Sequence, residues 1–275
     1  LHQTPSAALR SCRYKLPSAE KDPAVYEQIR ATLEKYDIGA FFYIGGNDSM
    51  DTVDKLSAYF DSVGSSIRVM GVPKTIDNDL VGTDHTPGFG SAAKYIATTV
   101  KEIIRDCAVY TIPAVTIVEI MGRDAGWLTA SAGIGKYVGI DAPDLVYLPE
   151  RDFSMDEFFL SLEKAFEKHP NIVVAVSEGI RFADGRYVGE GTQSGAVDVF
   201  GHRYLAGTAK VLEQAVKAEF GCKVRSIELN LPQRAAAHIA SKTDIDESVG
   251  VGSAAVKYAT EGKTGVMATI DRSEG

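Results

Sequence analysis

The chain has 275 residues, with 29 Lys and Arg against 37 Asp and Glu, a formal net charge of −8, and 45% hydrophobic residues. That composition is that of an ordinary globular protein with material for one large or two medium domains, and it excludes wholesale disorder. The acidic balance argues against nucleic acid as a main partner, and the apolar stretches 38–44 and 172–176 are too short to cross a bilayer. No signal peptide is visible at Leu1–Pro5. Cys12, Cys107 and Cys222 are widely spaced, with no CxxC pair and no zinc pattern, which fits reduced thiols in the cytoplasm.

Short apolar runs alternate with longer segments of helical period. Ile38 to Ile44 reads as a buried strand ending at Gly45-Gly46, and Asp51 to Phe60 as a helix with Val53, Leu56 and Phe60 on one face. Ser66 to Val72 is a second strand. Thr86-Pro87 has the form of a helix start, and Phe89, Ala93, Ile96, Val100 and Ile104 follow at helical spacing. Val115 to Ile120 is a strand, Ala125 to Ile134 a helix and Leu145 to Leu148 a short strand. Ser154-Met155-Asp156-Glu157 is a capping box that opens a helix through Phe166. Then come a strand over 172–176, a Gly-rich loop or irregular hairpin over 179–195, a helix over 204–220, a strand over 224–229 and a helix over 252–260. Such alternation predicts an α/β protein with mainly parallel sheets covered by helices on both faces.

Ligands in such folds bind beyond the carboxyl ends of the strands, and three polar clusters fall at strand exits. Gly45-Gly46-Asn47-Asp48-Ser49 offers close backbone approach and free N–H groups at a helix start, suited to a phosphate, or else it is simply a capped turn. Pro73-Lys74-Thr75-Ile76-Asp77-Asn78-Asp79 sets a lysine near two carboxylates. A carboxylate can take the proton of an attacking hydroxyl while a cation neutralises a transferring phosphoryl group. An Asx-rich turn needs neither the lysine nor the second aspartate, so the chemical reading is the stronger. Met121-Gly122-Arg123 places a guanidinium beside a glycine, able to fork onto a phosphate or to pair with a surface acid. The histidines share no metal-ligand spacing.

In this order and spacing, these segments resemble the phosphofructokinase family over nearly the whole chain. Ser11 to Tyr14, Thr86 to Gly90, Ser177-Glu178-Gly179 and Arg225 through Gln233-Arg234 extend the match. The resemblance implies two doubly wound, three-layer domains: a donor domain over 1–88, a fructose 6-phosphate domain over 89–232, and a return to the first over 233–275. It implies that Asp77 is the base that deprotonates the sugar 1-hydroxyl, with Asp79 in support. Thr75, Ile76, Met121, Gly122, Arg123, Glu178, Leu231 and Arg234 fall at substrate-contact positions. Arg225 matches an arginine that reaches the sugar phosphate of a neighbouring subunit, so a homodimer or homotetramer sharing its active sites is expected. Arg13 and Gly46 match donor contacts, and Asn47 stands at the position that approaches Mg2+, the expected cofactor.

ATP-using relatives carry Gly-Gly-Asp-Gly-Ser and Pro-Gly-Thr-Ile-Asp-Asn-Asp. Here Asp48 and Lys74 replace the two glycines. The carboxylate repels a nucleotide's α-phosphate, and the lysine neutralises charge that pyrophosphate leaves uncompensated. Both changes resemble the pyrophosphate-dependent branch, so the expected catalytic set is Asp77, Lys74 and Asp48. The expected substrates are pyrophosphate and fructose 6-phosphate, with no nucleic acid or membrane partner. An ATP-dependent enzyme and a non-catalytic, sugar-phosphate-binding subunit remain the alternatives. Ala114 and Leu231 depart from residues common in the family. Family members begin well before the segment at Arg13, so the chain is expected to be part of a longer enzyme.

Overall fold

The structure, a computed structural model, describes residues 8–12, 14–190 and 207–272. In chain order these form α1 (Pro23–Lys35), β1 (Ala40–Gly45), α2 (Asn47–Ser62), β2 (Arg68–Pro73), α3 (Phe89–Cys107), β3 (Ala114–Ile120), α4 (Trp127–Ser131) and β4 (Leu145–Tyr147). There follow β5 (Asp152–Phe153), α5 (Met155–Phe166), β6 (Asn171–Ser177), β7 (Arg181–Phe182), α6 (Thr208–Phe220), β8 (Lys223–Glu228), α7 (Lys242–Thr260) and β9 (Val266–Met267). The described residues divide into two compact units, 11–90 with 241–272, and 91–240 with 8–10. The chain thus passes between units at 10/11, 90/91 and 240/241, where the sequence reading puts only 88/89 and 232/233.

In the first unit β1, β2 and β9 form a three-stranded parallel sheet in that order. Alternation along β1 sends Phe41 and Tyr43 into one cluster with Tyr26, Leu56 and Phe60 of α1 and α2. Phe42 packs on the opposite side, with Val251 and Ala255 of α7. One strand therefore feeds two cores, which is how a sheet covered on both faces is built.

In the second unit β4, β6, β3 and β8 form a four-stranded parallel sheet. Val115 and Ile117 of β3 and Val174 and Val176 of β6 meet Phe158 and Leu162 of α5 and Leu212 and Val216 of α6. On the other face the Cys107 thiol, at the end of α3, lies 3.2 Å from the Thr116 hydroxyl. β6 is buried along its whole length, as expected of a central parallel strand. The Ser154 hydroxyl accepts the Glu157 N–H at 3.4 Å, so the capping box opens α5 as the sequence predicts.

Some boundaries differ from the sequence reading, each for a local reason. α3 starts at Phe89 rather than at Pro87, because Thr86 and Gly88 are engaged with residue 75: Thr86 bonds its carbonyl and Gly88 pairs with it as a parallel bridge. The helix expected over 125–134 breaks into α4 and a 3-10 turn over Ile134–Val138, where Gly135 lies so close to the Asp141 carbonyl that a Cβ would stand 2.6 Å from it. α7 begins at Lys242 rather than Gly252, its first turn carrying the buried Asp244. Of the segments expected over 179–195 and 204–220, residues 191–206 lie outside the described residues.

Glu119 of β3 is buried at 5% exposure, and its carboxylate accepts the Ala209 N–H at 2.7 Å in the first turn of α6. Burial pushes its pKa up to about 7 and the nearby Glu228 adds to the rise, while the backbone N–H groups of Ala209 and Gly207 oppose it. A carboxyl raised in the folded state favours folding when protonated. That contribution is complete below the unfolded value of 4.5 and is lost as pH climbs through about 7. The loss is on the order of 3 kcal/mol. Glu119→Gln keeps an oxygen for the Ala209 N–H and removes the titration. Thermal melts across pH 4 to 8 should show a flatter profile for the variant, with its advantage over the parent largest at pH 8.

Candidate active site

Two constellations stand at strand exits, one in each unit. In the first unit the exits of β1 and β2 are neighbours: the Lys74 N–H donates to the Gly45 carbonyl at 2.9 Å, continuing the register of the two strands. A Cβ on Gly46 would stand 3.6 Å from the Thr75 Cβ, an ordinary packing distance, so the two loops lie side by side. Gly46 caps α2, and Asn47 and Asp48 occupy its first turn, where free N–H groups and the helix dipole favour negative charge. The Asn47 amide donates to the Asp79 carboxylate at 2.7 Å. Partial burial raises the Asp79 pKa, opposed by its own backbone N–H and by that amide. The Asp77 N–H donates to the Thr75 hydroxyl at 3.1 Å, closing a tight turn, and Lys74 is exposed beside it. Gly46, Asn47, Asp48, Lys74, Thr75, Ile76, Asp77 and Asp79 are thus held on two adjoining loops. Arg13 lies outside the described residues.

In the second unit the exits of β3, β6 and β8 are laced together. The Glu178 N–H donates to the Ile120 carbonyl at 2.9 Å, and the Leu229 N–H to the Glu119 carbonyl at 3.0 Å. The loop over Met121, Gly122 and Arg123 is clamped at each step. The Met121 N–H donates to the Gln233 amide oxygen at 3.2 Å, the Gly122 N–H to the Glu178 carboxylate at 3.3 Å, and the Ser177 hydroxyl to the Gly122 carbonyl at 2.7 Å. Gly122 has φ of +120°, and a Cβ there would meet the Ala125 carbonyl at 2.4 Å. Leu231 and Arg234 sit on the 3-10 turn Leu231–Arg234 that follows β8, and flank the buried Gln233. The loop, Glu178 and the turn therefore converge.

Two donors in this cluster, Arg123 Nε and Gln233 Nε2, are buried and find no acceptor among the described residues. Buried donors are normally paired, so an oxygen-rich ligand is the natural complement. Arg225 is not among these residues. It lies within β8 opposite Thr116, exposed, with Asp106 at 3.8 Å. Gln233 and Ser177 belong to matching segments of the sequence, but nothing in the sequence marks them as the clamps of the 121–123 loop. That role appears only once three strands are side by side. Among the described residues no group of three His, Cys, Asp or Glu is arranged to hold a metal by itself, and no helix is long and apolar enough to cross a membrane.

The tightest approach in the cluster is at Gly179, where a Cβ would stand 1.7 Å from the Arg123 carbonyl oxygen. Gly179→Ala should cost about 1–3 kcal/mol, or roughly 2–4 °C of melting temperature per kcal/mol, because backbone must move. Gly250→Ala is the control: its Cβ would meet nothing within 4 Å, it lies in α7, and helix propensity there favours alanine. Melting curves of the pair should shift in opposite directions.

Residues 1–258 match the family described as Phosphofructokinase. The chain is 46% identical over 274 residues to the pyrophosphate–fructose 6-phosphate 1-phosphotransferase of Xanthomonas campestris, and 42% identical over 276 residues to that of Methylococcus capsulatus. Each alignment covers 99% of this chain and 65% of the relative, so the chain spans about 65% of the length of these curated relatives. The crystal structure of a pyrophosphate-dependent phosphofructokinase from Marinobacter aquaeolei superposes with a TM-score of 0.82 at 37% identity, covering 99% of this chain and 62% of that one. With a family match running through both strand-exit constellations, this chain belongs to the phosphofructokinase family.

Proposed function

We propose that the protein transfers a phosphoryl group from pyrophosphate to the 1-hydroxyl of fructose 6-phosphate, giving fructose 1,6-bisphosphate and phosphate. The observation that carries this reading is the junction of the β1 and β2 exits, where Asp48 and Lys74 share one pair of adjoining loops with Asp77. The relatives named above, which act with pyrophosphate, support it.

The roles follow from chemistry at each atom. Asp77 takes the proton of the attacking hydroxyl, and Lys74 neutralises charge on the transferring group. Asp48 at the start of α2 disfavours a donor with a further phosphate and nucleoside at that point, and Gly46 and Arg13 contribute to donor binding. Arg123, Arg234 and Glu178 bind the sugar phosphate, as do Thr75, Ile76, Asp79, Met121, Gly122 and Leu231. The unpaired Arg123 Nε fits such a ligand. Arg225, exposed on β8, serves the sugar phosphate of a second copy of the chain. Catalysis then needs a homodimer or homotetramer. A cytoplasmic location belongs to the same reading, since phosphorylated substrates do not cross a membrane unaided.

Mg2+ fits the oxygen donors present beside the base, which are the Asp79 carboxylate oxygens and the Asn47 amide oxygen. All are hard ligands, and they are few enough for phosphate oxygens to complete the shell. When bound, the ion supplies charge neutralisation on the phosphates. Pyrophosphate and the product ester lie closer in energy than ATP and that ester do, so transfer should run in both directions.

Assayed with fructose 6-phosphate and either donor, the full-length enzyme should turn over with pyrophosphate and by at least about tenfold less with ATP, the discrimination of 1.4 kcal/mol. A preference for ATP, or no turnover at all, refutes the proposal. The double change Asp48→Gly with Lys74→Gly should lower the pyrophosphate-to-ATP ratio of kcat/KM. An unchanged ratio shows that these residues do not select the donor.

A further inference from the structure

Between the two aspartates stands Asn78, whose backbone is left-handed, with φ of +58°. That region is costly for most residues but tolerated by asparagine. Its side-chain oxygen accepts the Thr86 N–H at 2.9 Å, and the Thr86 hydroxyl lies 3.3 Å away while donating to the Thr75 carbonyl at 2.8 Å. Thr86 is 0% exposed. The Thr75 N–H donates in turn to the Pro87 carbonyl at 3.1 Å, and the Gly88 N–H to the Asp244 carboxylate at 2.7 Å. The turn over 75–79 is therefore closed on residues 86–88, and these are moored to the first turn of α7.

We propose that Asn78 is a positioning residue for the phosphoryl transfer, fixing the reversal of the chain between Asp77 and Asp79 through its bond to Thr86. The inference rests on the function proposed above, in which Asp77 is the base. A base misplaced by a fraction of an ångström loses much of its effect.

Three requirements meet at this position. Glycine adopts the left-handed backbone but offers no oxygen to Thr86 and leaves the turn freer. Aspartate offers the oxygen but sets a third carboxylate in a row with Asp77 and Asp79, which raises the cost of ionising all three. Alanine meets neither the backbone nor the oxygen requirement. Asparagine satisfies backbone, acceptor and charge together. Thr86 shares the role, since its N–H and hydroxyl reach two points of one turn.

The test uses the full-length enzyme, with pyrophosphate and fructose 6-phosphate as substrates. Asn78→Gly should lower kcat about 30- to 100-fold, with both KM values within about twofold and the melting temperature within a few degrees, as expected for lost orientation. Thr86→Val keeps the backbone N–H that Asn78 accepts and loses only the hydroxyl bond to the Thr75 carbonyl, so its kcat should fall less than that of Asn78→Gly, and Thr86→Ser, which keeps both, should stay near the parental kcat. The amide hydrogen of Thr86, slow to exchange in the parent, should exchange faster in Asn78→Gly. A kcat above half the parental value in Asn78→Gly overturns the positioning role alone. So does a loss of kcat that only tracks melting temperature. A parent enzyme with no turnover overturns both this role and the proposed reaction.

Discussion

Parallel pairing is the constraint from which the remaining architecture follows. Every pair among the named strands is parallel, so the chain must return along a helix before laying down each neighbour, and all strands of one sheet end at one edge. Backbone polar groups beyond that edge no longer have ladder partners. They are satisfied instead by loops that bond sideways to the next exit, as Lys74 does to Gly45 and Glu178 to Ile120. Chemistry gathers at that edge because that is where free donors, helix starts and close-packed loops coincide.

Each constellation is stiffened by a different device. In the second unit the stiffness is steric: Gly179 and Gly122 admit carbonyls where any side chain would collide, and Ser177, Glu178 and Gln233 fasten the backbone between them. In the first unit it is electrostatic and hydrogen-bonded, with an amide on one carboxylate and a threonine under the turn. The contrast suits the work proposed for each. A loop that grips a sugar phosphate benefits from a fixed shape, and a loop that moves a proton benefits from a controlled charge.

Much of this was legible in the amino-acid sequence, and the rest was not for physical reasons. Strands β1, β3 and β6 are apolar runs bounded by glycine or polar exits, so period and length reveal them. The spacing of Gly45 to Ser49, Pro73 to Asp79 and Met121 to Arg123 marked the exits and supported a family resemblance. Helix α1 went unmarked although Asp22-Pro23 has the form of a helix start, because its buried stripe rests on little more than Tyr26 and Leu33. The start of α7 was hidden by acidic residues, one of which, Asp244, is buried for a bond to a loop distant in sequence. The clamps Gln233 and Ser177 are invisible to any local pattern, since what each of them grips lies tens of residues away along the chain.

The pair Asn47-Asp48 has a consequence for the donor loop as a whole. Compared with the Asp-Gly of ATP-using relatives, Asn-Asp holds the same number of carboxylates and the same formal charge. The two differences together move one negative charge a single step along the opening turn of α2, which rotates it by about 100° around the helix. The amide left behind turns to Asp79 as a donor where a carboxylate would have repelled it. Donor preference in this chain would then be written partly as the bearing of a charge on a helix, with the total of that loop held constant and the added positive charge left to Lys74.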